Sequence, residues 1–394
     1  MPRSLPAGLA ALVLTGALTA CSGSPRPAVA TPVTVPSSPS PTAVPTPADP
    51  PSLAAFLPDA ERFVEAHRGL LFKALPRVLL LDDAAFRART GGGGGGLDPT
   101  LIAEIDALQL VPRSVDLAAA GRRAQSESVV GVYEPPSKTV LVRGVAPTPF
   151  VREVLVHELT HVLQDQWFGI DRPDLDGPGH YEAALAFSSL VEGDAVRIED
   201  EYLASLPASQ RARAGLEEDA ATGVHGDVPA ALGAILHFPY TAGAAFVRAL
   251  ATVRGQAAVD AAFRSPPRTS ADILEPQRFL GGTAPDSHVT APPAGGPVLD
   301  RGAIGEFGLR LLLTHAAATG AVSDADADAA AAAWHGDAYV AWTRPGLACV
   351  RDTLAAAPGS DHTLLERVLD AYAARATGVT LGDGADTLTL TSCG

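Results

Sequence analysis

The chain has 394 residues, 47% hydrophobic and 19% charged, with 29 Lys and Arg against 44 Asp and Glu and a net charge of −15. That is apolar enough for a real core and excludes a wholly disordered chain. It is too acidic, and too free of basic blocks, for a nucleic-acid binder or a polybasic lipid binder, so no nucleic-acid partner is expected.

The N-terminus opens Met1-Pro2-Arg3 and runs apolar from Leu5 to Ala20. That run is shorter than the about 20 residues of a membrane span, so 1–20 reads as a secretory signal. It ends Leu18-Thr19-Ala20-Cys21, which resembles a bacterial lipobox whose Cys becomes the lipidated first residue. A lipid at Cys21 would hold an extracytoplasmic chain on the cell membrane. Residues 21–52 are rich in Pro, Ser and Thr and read as an extended spacer. No later segment is taken as a membrane span.

Residues 53–394 are read as one unit, an α/β part at 53–149 and a helical part at 150–394. Helical spacing runs through 53–75, an apolar strand through 77–81 and a short helix through 82–89. The glycine run at 91–96 lacks the Lys-Ser/Thr of a phosphate loop and reads as a flexible connection. A helix is expected at 99–110, and a β-hairpin within 129–142 around Glu134-Pro135-Pro136-Ser137. Helices follow at 150–168, 181–204, 208–221, 229–236, 241–253, 256–263, 301–317, 324–334 and 361–376, with a closing strand at 387–392. The fold class is therefore α+β and mainly helical, with a small antiparallel sheet packed on the helix at 150–168. Beyond Cys21 the only cysteines are Cys349 and Cys393. In an exported chain they predict one disulfide, which on the loop-entropy argument contributes about 4 kcal/mol.

The chemistry sits in the helix at 150–168, which contains His157-Glu158-Leu159-Thr160-His161. Positions four apart on a helix lie about 40° apart, one turn along. Both imidazoles therefore face one side and suit a shared Zn²⁺. Glu158 is about 100° round from His157; it is placed to take a proton from a metal-bound water rather than to ligate. The third ligand is sought in the next long helix. Glu192 is favoured, because Gly193 beside it marks a close helix approach; Glu182 and His180 are the alternatives. Asp194 points away from Glu192, as a supporting group behind the ligands or as an i,i+3 partner of Arg197.

The run HELTHVLQD at 157–165 resembles the active-site helix of thermolysin-type zinc peptidases, and VEGDA at 191–195 is similar to the E-G-x-A of gluzincins. More narrowly, the chain resembles exported prokaryotic proteins that pair HELTHxLQDQ with a later LxEGDA. Phe238-Pro239-Tyr240 with Gly243, and Trp334–Tyr339, also look like that group. The match covers about residues 130–340. It implies a zincin-like fold, with His157, His161 and Glu192 as zinc ligands and Glu158 as general base. It departs from thermolysin in the 30 residues between His161 and Glu192, and in Val196, where thermolysin keeps an Asp behind the metal. Gluzincins often stabilise the oxyanion with a Tyr or His beyond the third ligand. Tyr240, set on a turn by Pro239 and Gly243, is the candidate; His237 and His225 are the others. Asp337 is read either as a supporting group or as the cap of a turn.

No G-x-S-x-G elbow and no cysteine nucleophile is present. Asp324, Asp326 and Asp328 lack the remaining EF-hand positions and read as a solvated helix start. The expected function is a membrane-anchored, extracytoplasmic zinc peptidase acting on peptide or protein substrates. The alternative is a non-catalytic envelope lipoprotein that keeps zinc for structure or partner binding.

Overall fold

The computed structural model describes residues 52–91, 97–175, 177, 179–222, 228–282, 288–356, 360–384 and 386–394. Cys21, the signal, nearly all of the spacer and His225 lie outside them. The fold is α+β and mainly helical, as the periodicity predicts.

The first part holds α1 (Leu53–Arg68), β1 (Arg77–Leu81), α2 (Asp83–Thr90), α3 (Pro99–Ala107), α4 (Leu117–Ser128), β2 (Gly131–Glu134) and β3 (Thr139–Arg143). Ser52 caps α1 by accepting from the Ala55 N–H, and left-handed Gly69 ends it. The β2–β3 hairpin forms where expected. The sheet is nevertheless mixed, in the order β1-β3-β2, with β1 parallel to β3. Three helices separate β1 from the hairpin, and such a crossover is what a parallel pair requires. One of those helices, α4, has no counterpart in the sequence reading. Its buried face is Leu117, Ala120 and Ala124, small residues that leave a faint apolar stripe.

Next come α5 (Pro149–Phe168), α6 (Tyr181–Ser205), α7 (Ala208–Thr222), α8 (Ala230–Arg254), α9 (Gln256–Arg264), α10 (Ser270–Leu274) and α11 (Pro276–Leu280). Every residue of α5 from 153 to 164 is buried. The hairpin lies across one side of α5, tied by Asp165, which accepts from the Tyr133 hydroxyl at 2.8 Å and pairs with Lys138 Nζ at 2.6 Å. The expected break at Pro239 does not occur. The helices expected at 229–236 and 241–253 are one α8 that starts at Ala230 after Pro229, and Tyr240 is on a helix, not a turn. An interior Pro costs about 3 kcal/mol; burial of Leu232, Ile235, Phe238, Phe246, Val247 and Leu250 on both sides of it outweighs that cost. By length and composition α8 is apolar enough to cross a membrane, but this buried face belongs to the protein core.

Gly193 of α6 faces the Gly243 carbonyl of α8, and a Cβ at either position would enter the other helix's backbone. Gly193 thus marks the close helix approach expected of it. Gly193→Ala should force the helices apart and cost about 1–3 kcal/mol, read as a lower thermal midpoint. A neutral result would show that the contact relaxes freely.

The last part departs most from expectation. It holds β4 (Val298–Gly302), α12 (Gly305–Ala318), α13 (Asp324–Ala332), β5 (Trp334–Arg344), β6 (Leu347–Ala356), α14 (Ser360–Ala373), β7 (Thr380–Asp383) and β8 (Thr387–Cys393). Five strands form an antiparallel sheet in the order β4-β5-β6-β8-β7, so 150–394 is not a helical half. The helix expected at 301–317 begins later, because β4 occupies its first residues. Cys349 and Cys393 are register partners on β6 and β8 and form the expected disulfide. Asp324 and Asp326 lie in the first turn of α13 after its Ser323 cap, and Asp326 and Asp328 pair with Arg367 and Arg310. The two parts share one core: Ser392 Oγ donates to the Ala107 carbonyl, and Tyr372 to that of Leu108.

Asp337 lies on β5 and caps α12, accepting from the backbone N–H of Ile304 at 2.7 Å and Gly305 at 3.1 Å. It also accepts from Trp334 Nε1. Asp352 on β6 is fully buried beside it. Burial and the Asp337 charge hold the Asp352 carboxyl well above the usual range. A carboxyl raised on folding stabilises fully below its unfolded value of about 3.9, and that contribution fades as pH rises through the folded value. Thermal stability should therefore fall as the pH rises above about 4, and fall less steeply in Asp352→Asn. Equal slopes in melting curves above that pH would contradict this.

Candidate metal centre

Three donor atoms converge where α5 faces α6. His161 Nε2 lies 3.0 Å from His157 Nε2, and Glu192 Oε2 lies 3.2 Å from His157 Nε2 and 3.4 Å from His161 Nε2. Among the described residues, His157, His161 and Glu192 are the group placed to hold a metal ion. Glu192 thus joins the two histidines. Glu182 does not: it lies near the start of α6, where its Oε2 accepts from the Ser270 N–H and hydroxyl at 2.8 and 2.9 Å. His180, the residue before α6, is exposed and outside the group.

The hydrogen bonds behind the imidazoles decide what the cage wants. His157 Nδ1 meets Glu199 Oε2 at 2.8 Å. His161 Nδ1 meets Gln164 Oε1 at 2.8 Å, and the Gln164 amide is oriented because its Nε2 donates to Val191 O and Asp194 Oδ2. Both Nδ1 atoms face acceptors and so carry the protons, which leaves both Nε2 atoms as bare lone pairs. Two lone pairs and a carboxylate oxygen therefore face one another with no donor between them. That arrangement calls for a cation. The spacing also fits one: tetrahedral ligands about 2.05 Å from zinc are about 3.3 Å apart. Without a cation the cage takes up protons instead. Burial opposes the imidazoliums, but Glu192 and Glu199 outweigh it at His157, and Glu192 outweighs it at His161, so both are raised. Burial likewise opposes the Glu192 charge, yet the imidazoles pull its carboxyl down to about 2.

Behind this cage lies a second layer. Asp194 accepts from Arg68 Nε at 2.6 Å and from Arg197 at 3.0 Å. Asp194 thus pairs with Arg197, the i,i+3 partner, and also contacts Gln164, which meets His161. Arg68, fully buried at the end of α1, also donates to Asp260 at 2.6 Å and lies 5.6 Å from the ring centres of Phe168 and Phe263. On the other side, Glu153 is buried close to Glu199; burial and the Glu199 charge raise the Glu153 carboxyl.

Glu158 lies beside the cage and is fully buried. Gly131 of β2 makes room for it, since a Cβ there would sit 2.5 Å from Glu158 Oε1. Burial pushes its carboxyl up to about 7, against the pull of the two imidazoles. The Tyr133 N–H also favours the charged form, although no hydrogen bond to either oxygen has ordinary geometry. Tyr240 stacks its ring on His157, with centroids 6.4 Å apart. His237 is on the same helix, three residues earlier, and outside the cage.

Glu199, Gln164, Glu153 and Arg68 are absent from the sequence reading. Glu199 had a signal: it lies seven residues after Glu192, two turns on and on the same face of α6. Gln164 sits three residues after His161 on the same helix. Arg68 had none, because only the tertiary fold brings α1 to α6. No protein-family model, curated protein or solved structure matches the chain.

Proposed function

We propose that the chain is a zinc-dependent peptidase of zincin-like, gluzincin-type design, exported and held at the membrane through a lipid on Cys21. The observation that supports this is a cage of three donor-free acceptors with the buried carboxyl of Glu158 beside it. His157, His161 and Glu192 would hold the zinc. A zinc ion there supplies Lewis-acid activation of a water and of the peptide carbonyl. Glu158 takes the proton at its carboxylate and returns it to the leaving amine, a task that suits a pKa near the working pH. Glu199 and Gln164 fix the tautomers that leave both Nε2 atoms free to ligate. Tyr240, stacked on His157, is the proposed stabiliser of the oxyanion.

The burial of the cage favours a second reading, an envelope lipoprotein that keeps zinc for its structure. His161, the most exposed of the three ligands, is only 3% exposed. The full chain loaded with zinc, incubated with a mixed peptide library, separates the two. Cleavage that 1,10-phenanthroline blocks and added zinc restores supports the peptidase. Bound zinc with no cleavage anywhere in the library supports the structural role and overturns the first reading.

A further inference from the structure

Near the start of α6, apart from the metal cage, lies a cleft of about 310 Å3. Its walls carry apolar Leu101, Leu175 and Tyr181, together with the carboxylates of Asp98, Glu104 and Asp300. No Lys, Arg or His lines it among the described residues. The cleft is therefore anionic and apolar at once.

Asp98 has a donor, because it caps α3 by accepting from the Thr100 N–H at 2.6 Å, but Glu104 and Asp300 share a single one. The Tyr339 hydroxyl lies 2.6 Å from Glu104 Oε1 and 2.8 Å from Asp300 Oδ2. A phenol has one hydrogen to give, so it satisfies one of the two. Asp300 is 7% exposed, and its Oδ1 has no hydrogen-bond partner. A buried carboxylate without a partner is costly, and burial pushes the Glu104 carboxyl up to about 7. A positive ligand would supply both the missing charge and the missing donors.

Size and lining choose among cations. At about 310 Å3 the cleft is far larger than a bare metal ion fills. Calcium needs six to eight oxygens at about 2.3–2.6 Å, and three carboxylates spread round an apolar wall do not supply them. An aliphatic stem ending in an ammonium or guanidinium matches both halves, because such side chains lay their methylenes on apolar surface. The apolar part also continues inward: a hollow of about 40 Å3 shares Leu101, Glu104 and Tyr181 and reaches Phe307.

We propose that this cleft is a binding site for the Lys or Arg side chain of a peptide, with Glu104 and Asp300 receiving the charge and Leu101, Leu175 and Tyr181 packing the stem. Binding here does not depend on the peptidase reading; only the following placement rests on it. Tyr181 and Ala184 of the cleft precede Glu192 on α6 by eleven and eight residues. At 1.5 Å per residue that is about 12–16 Å from the metal cage, the reach of about four or five extended residues. The cleft would then select substrates with a basic residue that far from the cleaved bond.

The test is equilibrium binding to the full chain in the presence of a chelator, so that no turnover enters. The probes are N-acetyl-lysine methylamide, its arginine counterpart and N-acetyl-norleucine methylamide, which keeps the stem and lacks the charge. The basic probes should bind at least about ten-fold more tightly than norleucine, and Glu104→Gln and Asp300→Asn should each remove that preference. Should Asp300→Asn fail to fold by circular dichroism, Glu104→Gln decides. Equal binding of all three probes, no binding of any, an unaltered preference in Glu104→Gln, or displacement of lysine by calcium would each overturn the proposal. If lysine binds here while the loaded chain cleaves nothing, the cleft stands and the peptidase falls.

Discussion

Glu158→Gln is expected to keep its zinc and to lose about 10²–10⁴-fold in kcat, the usual contribution of a general acid–base group. Gln has the shape of Glu and fits the same space against Gly131. It contributes no atom to the cage of His157, His161 and Glu192. What it lacks is a group that can accept a proton near neutral pH. KM should change little, because the side chain is assigned to proton transfer rather than binding. Metal analysis and steady-state kinetics on the best library peptide check both halves. A variant that cleaves as fast as wild type would remove Glu158 from the mechanism. His161→Ala should differ in kind, losing metal and turnover together.

The second large effect is expected at Arg68, about 24 Å along α1 from the spacer at 1.5 Å per residue. Arg68→Met keeps an apolar stem between Phe168 and Phe263 but leaves Asp194 and Asp260 without their shared cation. Removing one partner of a buried ion pair costs about 3–5 kcal/mol. Asp194 also holds Gln164, which holds His161. Loss of such a supporting contact weakens metal binding by about 10–100-fold. Denaturant unfolding and competition with a zinc chelator measure the two effects separately. Lost stability with unchanged zinc affinity would make Arg68 a fold residue only. No change in either would mean the Arg68–Asp194–Gln164–His161 chain carries nothing. Arg68→Lys should fall between, because an ammonium cannot serve both carboxylates in the guanidinium's planar geometry.

The candidate metal cage was legible because its signals are local. His157 and His161 are four apart on one helix, and the glycine after Glu192 marked the helix contact, which Gly193 and Gly243 now form. The hairpin was legible from its two apolar runs around Pro135-Pro136. The β5–β6 hairpin was missed although Pro345 and Gly346 punctuate it, because the Ala-rich stretch before Trp334 extends a helical pattern into the strand. Pro239 misled in the opposite direction, since packing on both sides keeps α8 whole. Arg68 and Asp300 could not have been found from local pattern. Their roles arise from contacts with residues far along the chain, which only the fold brings together.

The most direct test of the central claim is metal content of the full chain, purified without added metal or chelator and read by mass spectrometry. The cage of bare lone pairs predicts about one zinc per chain, and little or none in Glu192→Ala that still folds by circular dichroism. A wild-type chain that stays metal-free after incubation with zinc, or a Glu192→Ala chain that binds it equally well, would contradict the assignment of His157, His161 and Glu192 as a metal centre.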